Sequence, residues 1–209
     1  MANISRAASK FGEAVGLTGA PVFTQAENVI DLIVKDHNDA KSLYEKYKSS
    51  SDWDEKKKLR NQMIKALVQH DECEQLLVYP LLREKIGGTL GEEHYARSLA
   101  EHQELRDLLY GVRYADMKQN PRQFDFKLQN AMEAVFKHVA VEENEVLPLL
   151  REKLTDEELK TVGASFKAHK PTAVTRPHPG APMQGYPAAI ANLVMKPFDK
   201  AKDFWEGTD

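Results

Sequence analysis

Cysteine is almost missing from this chain: Cys73 stands alone among 209 residues, which excludes an intramolecular disulfide framework and fits a reducing, cytoplasmic compartment. No apolar run approaches the roughly 20 residues needed to cross a bilayer, so a membrane partner is not expected. The net charge of -3 carries no excess of basic residues, and the lysines and arginines alternate with acids as on solvated helix faces, so nucleic acid is not expected either. Proline is scarce before residue 170, where only four of the ten occur.

Against that background the hexapeptide PLLREK occurs twice, at Pro80 to Lys85 and Pro148 to Lys153. Each copy follows the same pattern, since His70, Glu74 and Pro80 recur 68 positions later as His138, Glu142 and Pro148. Repeats of this kind reveal how a fold was assembled. Another histidine precedes each pair, His37 before the first and His102 before the second, so the full unit is His, then His-x-x-x-Glu, stated twice.

Hydrophobic periodicity predicts four long helices, over about 27–48, 54–85, 91–118 and 121–153. Asp52 or Asp54 is placed to cap the second, Gly87-Gly88 to end it, and Asn120-Pro121 to open the fourth. Long amphipathic segments joined by short turns predict an all-α fold, an up-down-up-down four-helix bundle made of two αα-hairpin repeats. Pro80 and Pro148 are expected to bend the last turns of helices two and four. Thr155 and Glu158 form a capping-box pattern that predicts a short fifth helix over 155–168.

The expected organisation is a loose leader over 1–26, the bundle over 27–169 and a Pro-rich tail over 170–209. Arg6, Lys10 and the serines of the leader have a faint transit-peptide character, against which Glu13 and the glycines weigh. The tail is expected to pack on the bundle as an extended or partly disordered segment, with a short helix near Ala188 to Met195, and to carry no chemistry. His169 and His178, which lie there, are expected to be non-ligands, and His94 a surface histidine.

His37, His70, His102 and His138 fall near the middle of four different helices, on the apolar faces, with Glu74 and Glu142 one turn beyond two of them. Positions i and i+4 project from one helix face, so each pair aims an imidazole and a carboxylate at one spot. An ionised glutamate is almost never buried without a partner, and no Lys or Arg shares the inner faces at that level, which leaves a cation as the economical companion. Four imidazoles and two carboxylates exceed a zinc site and lack the oxygen shell of calcium or magnesium. Two bridged iron or manganese ions fit that donor set inside a helical bundle.

This series of six residues resembles the hemerythrin-like HHE cation-binding domain over about residues 27–155, and the RPHP segment at Arg176 to Pro179 with the tail after it is similar to fungal members. The resemblance implies a non-haem di-iron centre, with His37 and His70 on one iron, His102 and His138 on the other, and Glu74 and Glu142 bridging. Manganese or zinc could substitute. Respiratory hemerythrins carry a further histidine where this chain has Ser98, and their last bridging carboxylate lies five residues beyond its histidine instead of four. The iron at His102 would then lack one imidazole, leaving room for water, O2, peroxide or a side chain such as Glu143, Glu145, Glu101 or Tyr44.

The resemblance thus implies a site for O2 or peroxide, as an oxidoreductase (an oxygenase or oxidase with a small organic substrate, or a catalase- or peroxidase-like enzyme). Its alternative is an O2- or iron-sensing, binding or storage module. A monomer or weak homodimer is expected, and Cys73 is read as a small buried hydrophobe.

Overall fold

The computed structural model describes residues 27–181, 195–200 and 202–203; the expected leader and most of the helix expected near Ala188 lie outside them. Among the described residues there is no strand. The chain forms helices α1 (Val29–Ser49), α2 (Trp53–Leu77), α3 (Gly88–Arg113), α4 (Pro121–Val141), α5 (Leu147–Lys153) and α6 (Asp156–His169). A short turn at Tyr79–Leu81 and a π-helical turn at Leu82–Ile86 extend α2, and a second π turn at Glu142–Val146 joins α4 to α5.

The helix starts follow local chemistry. Asn28 accepts from Ile30 N at 2.8 Å, Asp52 from Glu55 N at 2.7 Å and Asn120 from Gln123 N at 3.1 Å, each satisfying an amide that has no partner within its helix. Thr155 and Glu158 form the reciprocal capping box. Gly87 and Gly88, with φ of 66° and 57°, make the turn into α3, a backbone region open to glycine and closed to most residues. Three residues later, a Cβ on Gly91 would lie 2.3 Å from the Leu82 carbonyl oxygen, so this glycine sets the close approach of α3 to the end of α2.

Helices two and four break near Pro80 and Pro148, where a bend is expected, and the break goes as far as interrupting the α-helical ladder. Pro80 has no amide to donate to the Leu76 carbonyl, and α2 ends at Leu77, with Val78 at φ -106°. Pro148 likewise cannot bond Asn144, and the ladder slips by one residue over Glu142–Val146, where Leu147 N bonds Glu142 O. The two repeats therefore break differently: the π turn lies inside the first PLLREK and before the second. Helix α3 also stops at Arg113, short of Lys118, because Asp116 Oδ1 accepts from the amides of Lys118 and Gln119 and fixes a turn there.

Two apolar cores occupy opposite ends of the bundle. One gathers Ile33, Leu82, Leu99, Leu150, Leu159 and Phe166, where α6 closes the end; the other gathers Met63, Ile64, Leu109, Phe124, Leu128 and Met132. Burial of side chains like these contributes about 1.5–3 kcal/mol each, which is what holds a polar layer between the two cores. Over 170–177 the chain lies against the bundle. Glu72, which is buried, accepts from His169 Nε2 at 2.8 Å and Val174 N at 2.9 Å, while Asp199 accepts from Thr175 N and Arg176 N and contacts His178 Nε2.

Candidate metal centre

The polar layer consists of His37, His70, Glu74, His102, His138 and Glu142, all buried. Their donor atoms form two groups that share Glu74: His37, His70, Glu74 and Glu142 in one, Glu74, His102 and His138 in the other, each with all atoms within 4.8 Å of one another. Glu142 Oε2 lies 3.3 Å from His37 Nε2 and 3.7 Å from His138 Nε2, reaching both halves. Glu74 Oε2 lies 3.2 Å from His70 Nε2 and 3.5 Å from His102 Nε2. Both glutamates thus stand between the two histidine pairs, where bridging ligands would stand.

Four further carboxylates hold the imidazoles, and they run in a closed ring around the bundle. Asp36 of α1 faces His70 Nδ1 at 3.3 Å, Asp71 of α2 bonds His102 Nδ1, Glu101 of α3 bonds His138 Nδ1 at 2.8 Å, and Glu143 after α4 bonds His37 Nδ1 at 2.7 Å. Each helix orients the histidine of the next. An ionised carboxylate only accepts, so each Nδ1 carries the proton and each Nε2 presents a lone pair inward. Carboxylate partners of this kind fix tautomer and ring orientation in metal-binding histidines.

The inward lone pairs collide unless something positive lies between them. His37 Nε2 is 3.1 Å from His70 Nε2, and His102 Nε2 is 2.9 Å from His138 Nε2. Glu74 Oε1 and Glu142 Oε2 are buried with no hydrogen-bond partner, although native buried polar groups are nearly always bonded. Six inward donors with two orphaned oxygens fit a pair of cations.

Without a cation, protons take that place. Burial alone would lower the His70 imidazole, but Glu74 and Asp36 raise it to about 10. Burial would likewise raise Glu74, yet His70 and then His102 and His37 bring it down to about 2. His138 is shifted upward too, against burial, by Glu101, Glu142 and Glu74. The centre is built for positive charge.

Of the side chains expected to approach the site, Glu101 and Glu143 do so as partners of Nδ1. Glu145 instead pairs with Arg97 on the surface, because the π turn after Val141 rotates it outward. Tyr44 packs against Phe136, ring centroids 5.9 Å apart, within the end core and away from the centre. The tyrosine that reaches the centre is Tyr79, fully buried, with Oη 2.6 Å from His102 Nε2 and 3.0 Å from Glu74 Oε2.

His94 is not a surface histidine; it is buried, with Nδ1 3.0 Å from Arg97 Nη2, because it shares one face of α3 with the buried Gly91, Ser98 and His102. His169 and His178 pair with Glu72 and Asp199 and belong to neither metal group. Arg106 comes near the layer but is paired with Asp71 at 2.7 Å, and among the described residues no Lys or Arg pairs with Glu74 or Glu142. Cys73 is buried, and burial first and Glu72 next push its thiol far up, so it acts as an apolar side chain.

On the far side of the histidines from Tyr79 is a small cavity of about 30 Å³, lined by the four imidazoles, Leu67, Leu105, Leu109 and Val135 among others, with Asp71 and Arg106 at its edge. A water needs roughly 10–15 Å³ measured in this way, so the cavity takes one or two molecules of that size.

The fold and this layer define a four-helix-bundle protein built around a buried histidine and carboxylate cation site. Residues 28–150 match the family model of the hemerythrin HHE cation binding domain. The chain is 34% identical over 178 residues to an uncharacterized hemerythrin-like protein of Schizosaccharomyces pombe, covering 85% of this chain and 86% of that one. It belongs to the hemerythrin HHE cation-binding family. It is also 27% identical over 146 residues to a DNA nickase of Nostoc, a match that covers 70% of this chain and 40% of the nickase. No solved structure matches the chain. Among the described residues no helix is long and apolar enough to cross a membrane.

Proposed function

We propose that the centre binds two iron ions, His37 and His70 on one, His102 and His138 on the other, with Glu74 and Glu142 between them, and that it reduces O2 or peroxide. Bound there, an iron pair supplies the electron steps that this chemistry needs. The single observation that favours a diatomic-sized reactant is the cavity of about 30 Å³ at the histidine face. The same cavity suits an O2 sensor, and reaction kinetics separate the two uses. We place the protein in the cytoplasm, in keeping with its one reduced, buried thiol.

The chain's own residues have separable tasks. Asp36, Asp71, Glu101 and Glu143 aim the imidazoles, and Leu67, Leu105, Leu109 and Val135 keep bulk water from the reacting face. Arg106, paired with Asp71, supplies a hydrogen-bond donor beside the cavity. The DNA-nicking activity named for the Nostoc relative is not carried over, since the match spans a minority of that protein.

Filling the cavity tests the assignment. Val135→Phe should leave iron content unchanged, with about 1–3 kcal/mol of overpacking, and slow the consumption of O2 or peroxide by the ferrous protein by about tenfold or more, the equivalent of ~1.4 kcal/mol of barrier. Stopped-flow mixing measures it. Wild-type rates in that variant would place the reaction elsewhere.

A further inference from the structure

Resting on the iron reading above, we propose that Tyr79 is itself a metal ligand, its phenolate oxygen binding the ion held by His102 and His138. The position is set by the register of two helices. Gly91 of α3 lies against Leu82, and His102 of the same helix bonds Asp71, so Ser98 lies opposite the stretch from Glu74 to Tyr79. Ser98 is buried and small. The tyrosine ring stands edge-on to the His102 ring beside it, centroids 5.0 Å apart at 62°.

Tyr79 Oη points at donors from both halves of the centre: His102 Nε2 at 2.6 Å, Glu74 Oε2 at 3.0 Å and Glu142 Oε1 at 3.4 Å. A phenol has one proton to give. Here it faces two carboxylate oxygens and an Nε2 lone pair, the last because Asp71 holds His102's proton on Nδ1. A crowd of acceptors around one hydroxyl is poorly satisfied by hydrogen bonding and well satisfied by a cation at their common focus. The counterpart of Tyr79 in the second repeat, 68 positions on, is Leu147, so only one half of the centre gains an oxygen, and the two ions become inequivalent.

The exchange is simple. The Tyr79 O–H bond gives way to an oxygen–iron bond, the proton leaves to water as in other metal-binding reactions, and no electron moves. A third anionic oxygen beside Glu74 and Glu142 favours the ferric over the ferrous state.

The test is the optical spectrum of the full-length protein loaded with ferric iron. Wild type should show a visible phenolate-to-iron charge-transfer band whose resonance Raman modes shift when the protein is made with ring-deuterated tyrosine. Tyr79→Phe should lose the band while keeping its helicity and about two irons per chain, the complement of a di-iron bundle site; Tyr44→Phe should keep the band. A band that survives Tyr79→Phe overturns the assignment. So does an iron-loaded wild type without tyrosine modes, a result that needs no variant to fold. A wild type that takes up no iron overturns the metal reading and this inference with it.

Discussion

Replacing Glu74 by alanine should empty the centre: iron content is expected to fall from about two per chain, the complement of a di-iron bundle site, to well below one. Glu74 is the one residue common to both donor groups, and its carboxylate lies 3.2 Å from His70 Nε2 and 3.5 Å from His102 Nε2. Losing it removes a ligand from each half at once. Removing one partner of a buried charge pair costs about 3–5 kcal/mol, so the variant should also melt earlier than metal-free wild type. Elemental analysis with a thermal melt reads both effects. Glu145→Ala, on the surface with Arg97, should change neither.

The pH dependence of metal uptake has a definite sign. Because the His70 pKa is raised, to about 10, the protonated imidazole stabilises the metal-free fold fully below its unfolded value of about 6.5, and that contribution is lost as pH rises through 10. A cation must expel the same proton. Iron affinity should therefore climb as pH is raised from neutral, with protons released on binding, and a pH-independent affinity would contradict the arrangement.

The second large effect is expected from a residue that touches no metal. Asp71→Asn should weaken iron binding by about 10- to 100-fold, the usual range for removing a carboxylate behind a metal-binding histidine. Asp71 bonds His102 Nδ1 through one oxygen and Arg106 Nη2 through the other, at 2.7 Å. His102 and then Arg106 outweigh the upward pull of burial and hold its carboxyl well below the usual range. The amide variant can donate to His102 and flip its tautomer, placing a proton on Nε2 where the ion should sit. Competition with a chelator measures the affinity, and an unchanged value would reduce the carboxylate ring to simple packing.

The six central residues were legible because each sits on an apolar stripe at one level and because the duplication fixes their register. Of the carboxylate ring, Glu101 and Glu143 are expected near the centre from the sequence, whereas Asp36 and Asp71 are not, for a physical reason. Helical spacing relates partners on one face of one helix, whereas each ring member faces a histidine on the neighbouring helix. A signal was nevertheless present: an acid adjoins a central residue in every helix, as Asp36-His37, His70-Asp71, Glu101-His102 and Glu142-Glu143.

Tyr44 keeps the α-helical phase of His37 and so points to the centre in the sequence, while Tyr79 reaches the centre only through the break at Val78 that Pro80 imposes. The same two prolines, legible in the sequence as bends in the last turns of helices two and four, interrupt the α-helical ladder there. Periodicity registers which residues are apolar and cannot register a backbone bond that proline fails to make.

The direct measurement is an anaerobic titration of metal-free protein with ferrous iron, followed by calorimetry. Binding should saturate at about two ions per chain, as two half-sites in one bundle require. Saturation at one ion, or no binding by a protein that keeps its helicity, would contradict the paired centre.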